Sequence, residues 1–171
     1  MLKVMWVNLI GFNLLWAGLV LLGDVFIVVA VLALIAHFNF CQNRQDEAKV
    51  ILAVAVIGCT VDSLLTYFNV FIFPHALIPL WLVALWLCFA ATIRHSLSFL
   101  ASVSWYWQAM VGACFAPLSY FAGERLGAVA FSLPYITTFV LLSAIWALLM
   151  VLFFNLNAKI SSGDNANVTV Y

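Results

Sequence analysis

Charged residues are scarce in this sequence: they make up 7% of its 171 residues, whereas 68% are hydrophobic. Roughly a quarter of the residues in a soluble domain are charged, so this composition excludes a soluble domain. The formal net charge is zero, which provides no basic surface for nucleic acid. The sequence also lacks the GxSxG and HExxH motifs and the paired carboxylates of common hydrolases. An enzyme is therefore the least favoured class, and we assign no catalytic residue.

Metal-binding motifs are missing as well. The four cysteines form no CxxC pair and lie in different apolar segments, which is typical of small packing residues. His37 and His95 are expected at the cytoplasmic ends of their helices and His75 at an outer end, so all three cannot share one ion. The sequence therefore predicts no metal and no cofactor.

Long apolar runs are what the sequence does contain. About 20 apolar residues are needed for a helix to cross a bilayer core of roughly 30 Å, and dividing the chain by length gives six crossings. The predicted crossings are Val4 to Leu22, Val25 to Phe40, Val50 to Tyr67, Leu77 to Ile93, Trp105 to Phe121 and Ala128 to Asn155. We therefore predict an all-α, six-helix transmembrane bundle over residues 1–155, followed by a disordered cytoplasmic tail over 156–171.

The first two crossings are separated only by Gly23 and Asp24. We expect a tight helical hairpin, with Gly23 in the turn and Asp24 capping the second helix. Asn8 and Asn13 interrupt the first run, and no small-x-small cleavage site precedes Asp24, so a retained helix is favoured over a cleaved signal peptide.

The positive charges predict the orientation, because lysine and arginine remain on the cytoplasmic side of short loops. In a six-crossing arrangement, five of the six cations fall on one face and Arg125 alone falls on the other. The five are Lys3, Arg44, Lys49, Arg94 and Lys159. Both termini are therefore expected in the cytoplasm.

One carboxylate lies deep within this apolar chain. Asp62 belongs to a polar stripe on the third helix, together with Cys59, Thr66 and Asn69, at spacings of three and four residues. An aspartate near the centre of a membrane helix costs about 2.5–3.5 kcal/mol on insertion scales. Asp62 is therefore expected to face the bundle or a water-filled cavity and not lipid.

Arg125 is the only cation expected on the outer side, and its long side chain can reach inward. We expect Asp62 and Arg125 to lie close enough to pair, with Gln108 of the fifth helix contributing to the same polar pocket. The alternative is a polar contact that only locks the helices together, since such hydrogen bonds are common in membrane bundles.

Several motifs, in order, resemble a bacterial inner-membrane family of unknown function. They are NLIGFNLLW, VDSLLTYFNVFIF, IPLWLVALWLCFAATIRHSL, APLSYFAGERLGAV and IWALL. The resemblance extends to about Phe154 and implies that Asp62, Tyr120, Arg125 and His95 occupy characteristic positions. It also implies a bacterial inner membrane and a gene often encoded beside cyclopropane-fatty-acid-synthase-like genes, but it implies no reaction.

These observations favour a protein that binds or carries a small amphipathic or lipid-like molecule in an intramembrane pocket. The candidate ligand-binding residues are Asp62, Arg125, Thr66, Asn69, Gln108 and Tyr120. His95 is a possible second site, as an acid or base of a membrane enzyme or as an interfacial histidine.

Two alternatives stay open: a substrate-binding subunit of a transporter, similar in shape to energy-coupling-factor components, and a structural or accessory membrane protein. The partners expected are the lipid bilayer and such a ligand, while protein partners are not predicted.

Overall fold

The computed structural model describes residues 2–74 and 77–167, and side chains within 5–74 and 77–162. This part of the chain is mostly helical. The helices are α1 (Leu2–Leu22), α2 (Ile27–Phe40), α3 (Arg44–Tyr67), α4 (Leu80–Ala90), α5 (Trp105–Arg125) and α6 (Tyr135–Asn167). Two 3-10 segments, Gly23–Phe26 and Ser98–Ser102, precede α2 and α5. Two short strands, β1 (Phe71–Ile72) and β2 (Ala130–Phe131), pair antiparallel.

Three helical segments of the described chain are long and apolar enough to cross a membrane: Met5–Phe40, Arg44–Tyr67 and Tyr135–Ser162. Leu80–Ala90 is a shorter apolar helix. The predicted all-α class is confirmed, and these helices indicate a membrane protein. Their lengths support three candidate spans and do not by themselves establish six crossings.

The segment Met5–Phe40 reverses direction in its middle. Gly23 has φ 59°, a left-handed conformation that suits glycine, and Gly18 lies directly against the ring of Phe26. The hairpin turn is therefore at the predicted glycine. The predicted cap is different: Asp24 makes no cap to α2, and its Oδ1 accepts a hydrogen bond from the Trp81 N–H at 2.9 Å. Because the 3-10 turn separates Asp24 from α2, the carboxylate instead satisfies a free N–H at the start of α4.

Helix α4 packs at the centre of the bundle, against α1, α2 and α3. Trp86 is its largest buried side chain, and its ring stacks on Trp146 of α6 with centroids 5.2 Å apart and an interplanar angle of 6°. Gly58 of α3 leaves the space that the Trp86 ring fills. The main core therefore lies where α3, α4 and α6 meet.

Helices α5 and α6 form an antiparallel pair in close contact. Gly112 lies against the backbone carbonyl of Trp146 and the side chain of Met150, leaving no room for a larger residue. Ser143 Oγ donates to the Ala113 carbonyl at 2.9 Å. Small residues on α5 thus allow the two backbones to approach, as expected for membrane helices.

The sixth helix differs from its predicted bounds at both ends. It begins at Tyr135, because residues 130–131 form β2 and Pro134 lies just before the helix, where proline is tolerated. It continues to Asn167, so residues 156–167 of the predicted disordered tail are helical. Ile160 packs against the core, and Ser161 accepts a hydrogen bond from Arg94 at 3.3 Å, so contacts with the bundle support the helix as far as Ser161. Residues 168–171 lie outside the described residues.

Candidate functional site

Asp62 lies on the buried face of α3, with 1% of its surface exposed. Trp86 Nε1 donates to Oδ2 at 2.7 Å, and the Tyr120 hydroxyl lies 3.0 Å from Oδ1 and 3.2 Å from Oδ2. The carboxyl group thus joins α3 to α4 and α5. As expected from its cost in lipid, neighbouring helices shelter it.

Aromatic rings enclose the two donors of Asp62. Trp86 stacks on Trp146, and Tyr120 stacks on Phe71 of β1 with centroids 5.2 Å apart. The buried group of Asp62, Trp86 and Tyr120 is called the carboxyl clasp below. Other side chains pack around this group. Asp62 does not line either of the two surface grooves that Thr66 borders.

Arg125 does not meet Asp62, contrary to the expected pairing. Its Nε lies 3.8 Å from Glu124 Oε2, its guanidinium lies 5.7 Å from the ring centre of Tyr135, and its side chain is 78% exposed. Arg125 occupies the last turn of α5, where its charge remains at the end of the bundle. Two neutral donors satisfy Asp62 in its place.

Thr66 and Asn69 lie at a surface next to the clasp. The Thr66 hydroxyl donates to the Asp62 carbonyl at 2.8 Å. Thr66 lines two adjoining grooves: one of about 610 Å³ along α3, and one of about 360 Å³ that reaches Asn69 and Phe71. Of the predicted ligand residues, Asp62 and Tyr120 are brought together, and Thr66 and Asn69 border the neighbouring grooves.

Gln108 is buried elsewhere, near the start of α5. Its Nε2 donates to the Leu100 carbonyl at 2.9 Å and approaches the Val103 carbonyl at 3.5 Å. The side chain therefore fixes the 3-10 segment to α5, which is the role expected of an interhelical hydrogen bond. Gln108 is not part of the clasp.

His95 belongs to a second polar group, at the end of the bundle where α4 ends. His95 Nε2 lies 3.3 Å from Glu47 Oε1 and 3.9 Å from Cys41 Sγ, and His37 Nε2 lies 2.8 Å from the same Glu47 oxygen. Burial raises the pKa of the Cys41 thiol, and the Glu47 carboxylate acts in the same direction, opposed by Arg94 and Arg44. His75 lies outside the described residues.

The sequence prediction missed Trp86 and Glu47. Trp86 lies in a uniformly apolar helix and is separated from Asp62 by 24 residues, so no local pattern connects the two. The sequence position of Glu47 could have suggested a functional role, because it is an acidic residue in the first turn of a long apolar helix. Its burial, at 3% exposure, was not predictable from that position.

The fold and its buried polar groups define an α-helical protein with apolar helices of membrane-spanning length. A family model described as "Protein of unknown function (DUF2878)" matches residues 5–152, nearly the whole chain. The chain therefore belongs to this family, as the sequence motifs indicated. No curated protein and no solved structure matches the chain significantly.

Proposed function

We propose that the chain crosses the bacterial inner membrane six times, with both termini in the cytoplasm. Contacts at the two ends of the bundle support this arrangement. At one end, Asn8 of α1 reaches the Ala91 carbonyl, and Arg94 contacts both Glu47 of α3 and Ser161 of α6. The opposite end carries the hairpin turn, the paired strands and Arg125. Each helix thus runs from one end to the other, and the short α4 is extended by the turns around residues 91–97.

We further propose that the protein binds a small amphipathic, lipid-like molecule in the groove along α3. This proposal rests on the size and the lining residues of the groove. Its volume of about 610 Å³ falls within the range of roughly 300–1,000 Å³ that ligand sites occupy. The groove opens on the bundle surface, so a molecule can enter it sideways from the bilayer.

The chemistry of the groove fits an amphipathic ligand. Its α3 wall carries a thiol and hydroxyl groups alternating with aliphatic and aromatic side chains, at Val56, Cys59, Thr60, Ser63, Leu64 and Tyr67. Leu77 and Ile78, which precede α4, form the facing wall. Towards the end of α3 the smaller groove adds the polar Asn69. An acyl or isoprenoid chain would lie along α3, with its polar end near Asn69.

The carboxyl clasp would support this groove from behind. Asp62 anchors Trp86 and Tyr120, while the Asp62 carbonyl fixes the hydroxyl of Thr66 on the groove side. In this proposal Thr66 and Asn69 contact the ligand, and Asp62 and Tyr120 hold α3 in position. The packed surroundings of Asp62 also favour the alternative in which this residue only locks the helices together. No described contact favours the transporter alternative.

The experiment is mass spectrometry of small molecules extracted from the purified protein. Ser63 is exposed in the groove, so Ser63→Trp should fill it and remove the co-purified molecule. Leu148→Trp is the matched control, because Leu148 is 74% exposed on α6 and lines neither described groove. A wild-type protein that repeatedly purifies empty, or equal occupancy in both variants, would contradict the proposal.

A further inference from the structure

Four side chains with metal-binding atoms converge where α2, α3 and the segment after α4 meet. They are His37, Cys41, Glu47 and His95, and their ligand atoms all lie within 4.8 Å of one another. His37 lies in the last turn of α2 and Cys41 follows one turn later, while Glu47 lies in the first turn of α3. We propose that these four residues bind one divalent transition-metal ion of the zinc type. This proposal goes beyond the amphipathic ligand and does not depend on it.

The spacing of the ligand atoms fits a tetrahedral ion. Zinc lies about 2.0–2.3 Å from nitrogen, oxygen and sulfur ligands, and a tetrahedron of that size separates its ligand atoms by roughly 3.3–3.8 Å. Three of the six separations are 2.8 Å for His37–Glu47, 3.3 Å for His95–Glu47 and 3.9 Å for Cys41–His95, and all six lie within 4.8 Å. The widest pair must therefore close by about 1 Å to bind the ion.

The orientation of the Glu47 carboxylate supports this assignment. Its Oε1 faces both histidines, whereas its Oε2 lies 3.3 Å from Arg94 Nε. Arg94 also donates to Ser161, which anchors the guanidinium to α6. One oxygen is thus held by an outer partner and the other is directed at the remaining ligands. Metal-binding carboxylates are commonly oriented in this way.

The charges of the ligand set suit a divalent ion. One carboxylate, one thiolate and two neutral imidazoles carry two negative charges, which a divalent ion neutralises, and Arg94 contributes its positive charge outside the ligand set. Mixed nitrogen, sulfur and oxygen ligands suit zinc-like ions, whereas magnesium and calcium prefer oxygen alone.

The site is closed on one side and reachable on the other. Glu47 is almost fully buried, whereas the side chains of His37 and His95 are 14% and 24% exposed. An ion can therefore enter from the aqueous end of the bundle. Four protein ligands leave no open position, which is typical of structural zinc sites. The ion would join the α2–α3 turn to the end of α4.

The experiment uses the full chain in detergent, with any polyhistidine tag removed, after chelation and then titration with Co²⁺. We expect one Co²⁺ per chain, tetrahedral d–d bands and a thiolate-to-cobalt charge-transfer band. Cys41→Ser should abolish the charge-transfer band. Cys114→Ser is the matched control, because Cys114 is exposed and lies far along the chain on α5; it should retain the band.

Arg94→Gln removes the outer partner of Glu47, together with the Arg94–Ser161 hydrogen bond, and leaves all four ligands in place. We expect it to weaken Co²⁺ binding about 10- to 100-fold. Zn²⁺ should displace the bound Co²⁺ and remove its spectrum. The wild-type titration is decisive even if a variant fails to fold. No stoichiometric binding, octahedral spectra without a charge-transfer band, or a band that survives Cys41→Ser would each overturn the proposal. These readouts are independent of the contents of the groove.

Discussion

Removing the side chain of Asp62 tests the carboxyl clasp most directly. In Asp62→Ala, Trp86 Nε1 and the Tyr120 hydroxyl lose their acceptor, and both rings remain enclosed by the core. Each buried donor left unsatisfied costs about 1–3 kcal/mol, which gives about 2–6 kcal/mol for the two donors. Hydrogen bonds between membrane helices contribute less than this on average, because the unfolded state in the membrane also finds partners. We therefore expect a loss of about 2 kcal/mol.

Asp62→Asn is the matched control for this variant. Oδ2 of Asp62 lies within hydrogen-bond distance of both donors, so an amide oxygen in that position can accept both bonds. We expect Asp62→Asn to lose less than half as much stability as Asp62→Ala. Arg125→Ala should change nothing at the clasp, because Arg125 is exposed and pairs with Glu124.

The assay is reversible unfolding in mixed micelles with increasing denaturing detergent, followed by far-ultraviolet circular dichroism. Equal stability of Asp62→Ala and wild type would refute the hydrogen-bonding role of the carboxyl group. Equal destabilisation by alanine and asparagine would contradict the expectation that an amide oxygen can replace the carboxyl group as the acceptor. A large loss in Arg125→Ala would restore the pairing expected from the sequence.

Three further predictions concern helix packing and turns, and the same unfolding assay checks each of them. Gly112→Ala should cost about 1–3 kcal/mol by overpacking α5 against α6, whereas Gly123→Ala, which meets nothing within 4 Å, should be neutral or slightly stabilising. Asp24→Ala should cost about 0.5–2 kcal/mol by removing the acceptor at the start of α4, and Asp24→Asn should retain most of that stability. Gly23→Ala should cost about 1–2 kcal/mol, because its positive φ suits glycine. Equal losses of stability in Gly112→Ala and Gly123→Ala, or in Asp24→Ala and Asp24→Asn, would contradict these assignments. A Gly23→Ala variant as stable as the wild type would do the same.

The sequence was sufficient to predict the helices that are long and apolar. Hydrophobic length alone located the apolar segments Met5–Phe40, Arg44–Tyr67 and Tyr135–Ser162, and the glycine at residue 23 marked the reversal within the first of them. Pairing of β1 with β2 was not predictable, because two-residue strands carry no periodic pattern. The extension of α6 to Asn167 was also missed, because it depends on contacts of Ile160 and Ser161 with the rest of the bundle.

The burial of Asp62 was easier to predict from the sequence than the identity of the residues that hydrogen-bond to it. The apolar surroundings of Asp62 indicated that it must be sheltered, which depends only on local composition. Which groups would shelter it depends on how α4 and α5 approach α3, and charge complementarity alone suggested Arg125 incorrectly. The second polar group illustrates the same limit. Cys41 was expected to be a packing residue although His37 lies four residues before it, because Glu47 and His95 join the two only after three segments have packed together.

The parallel rings of Trp86 and Trp146 provide an intrinsic optical probe of assembly. Two indoles held 5.2 Å apart with nearly parallel planes should couple their electronic transitions, and any in-plane rotation of one ring relative to the other adds an excitonic component to the ultraviolet circular dichroism spectrum. One indole belongs to α4 and the other to α6, so this component should disappear when the two helices separate, even if each stays helical. The tertiary arrangement can thus be followed without an added label.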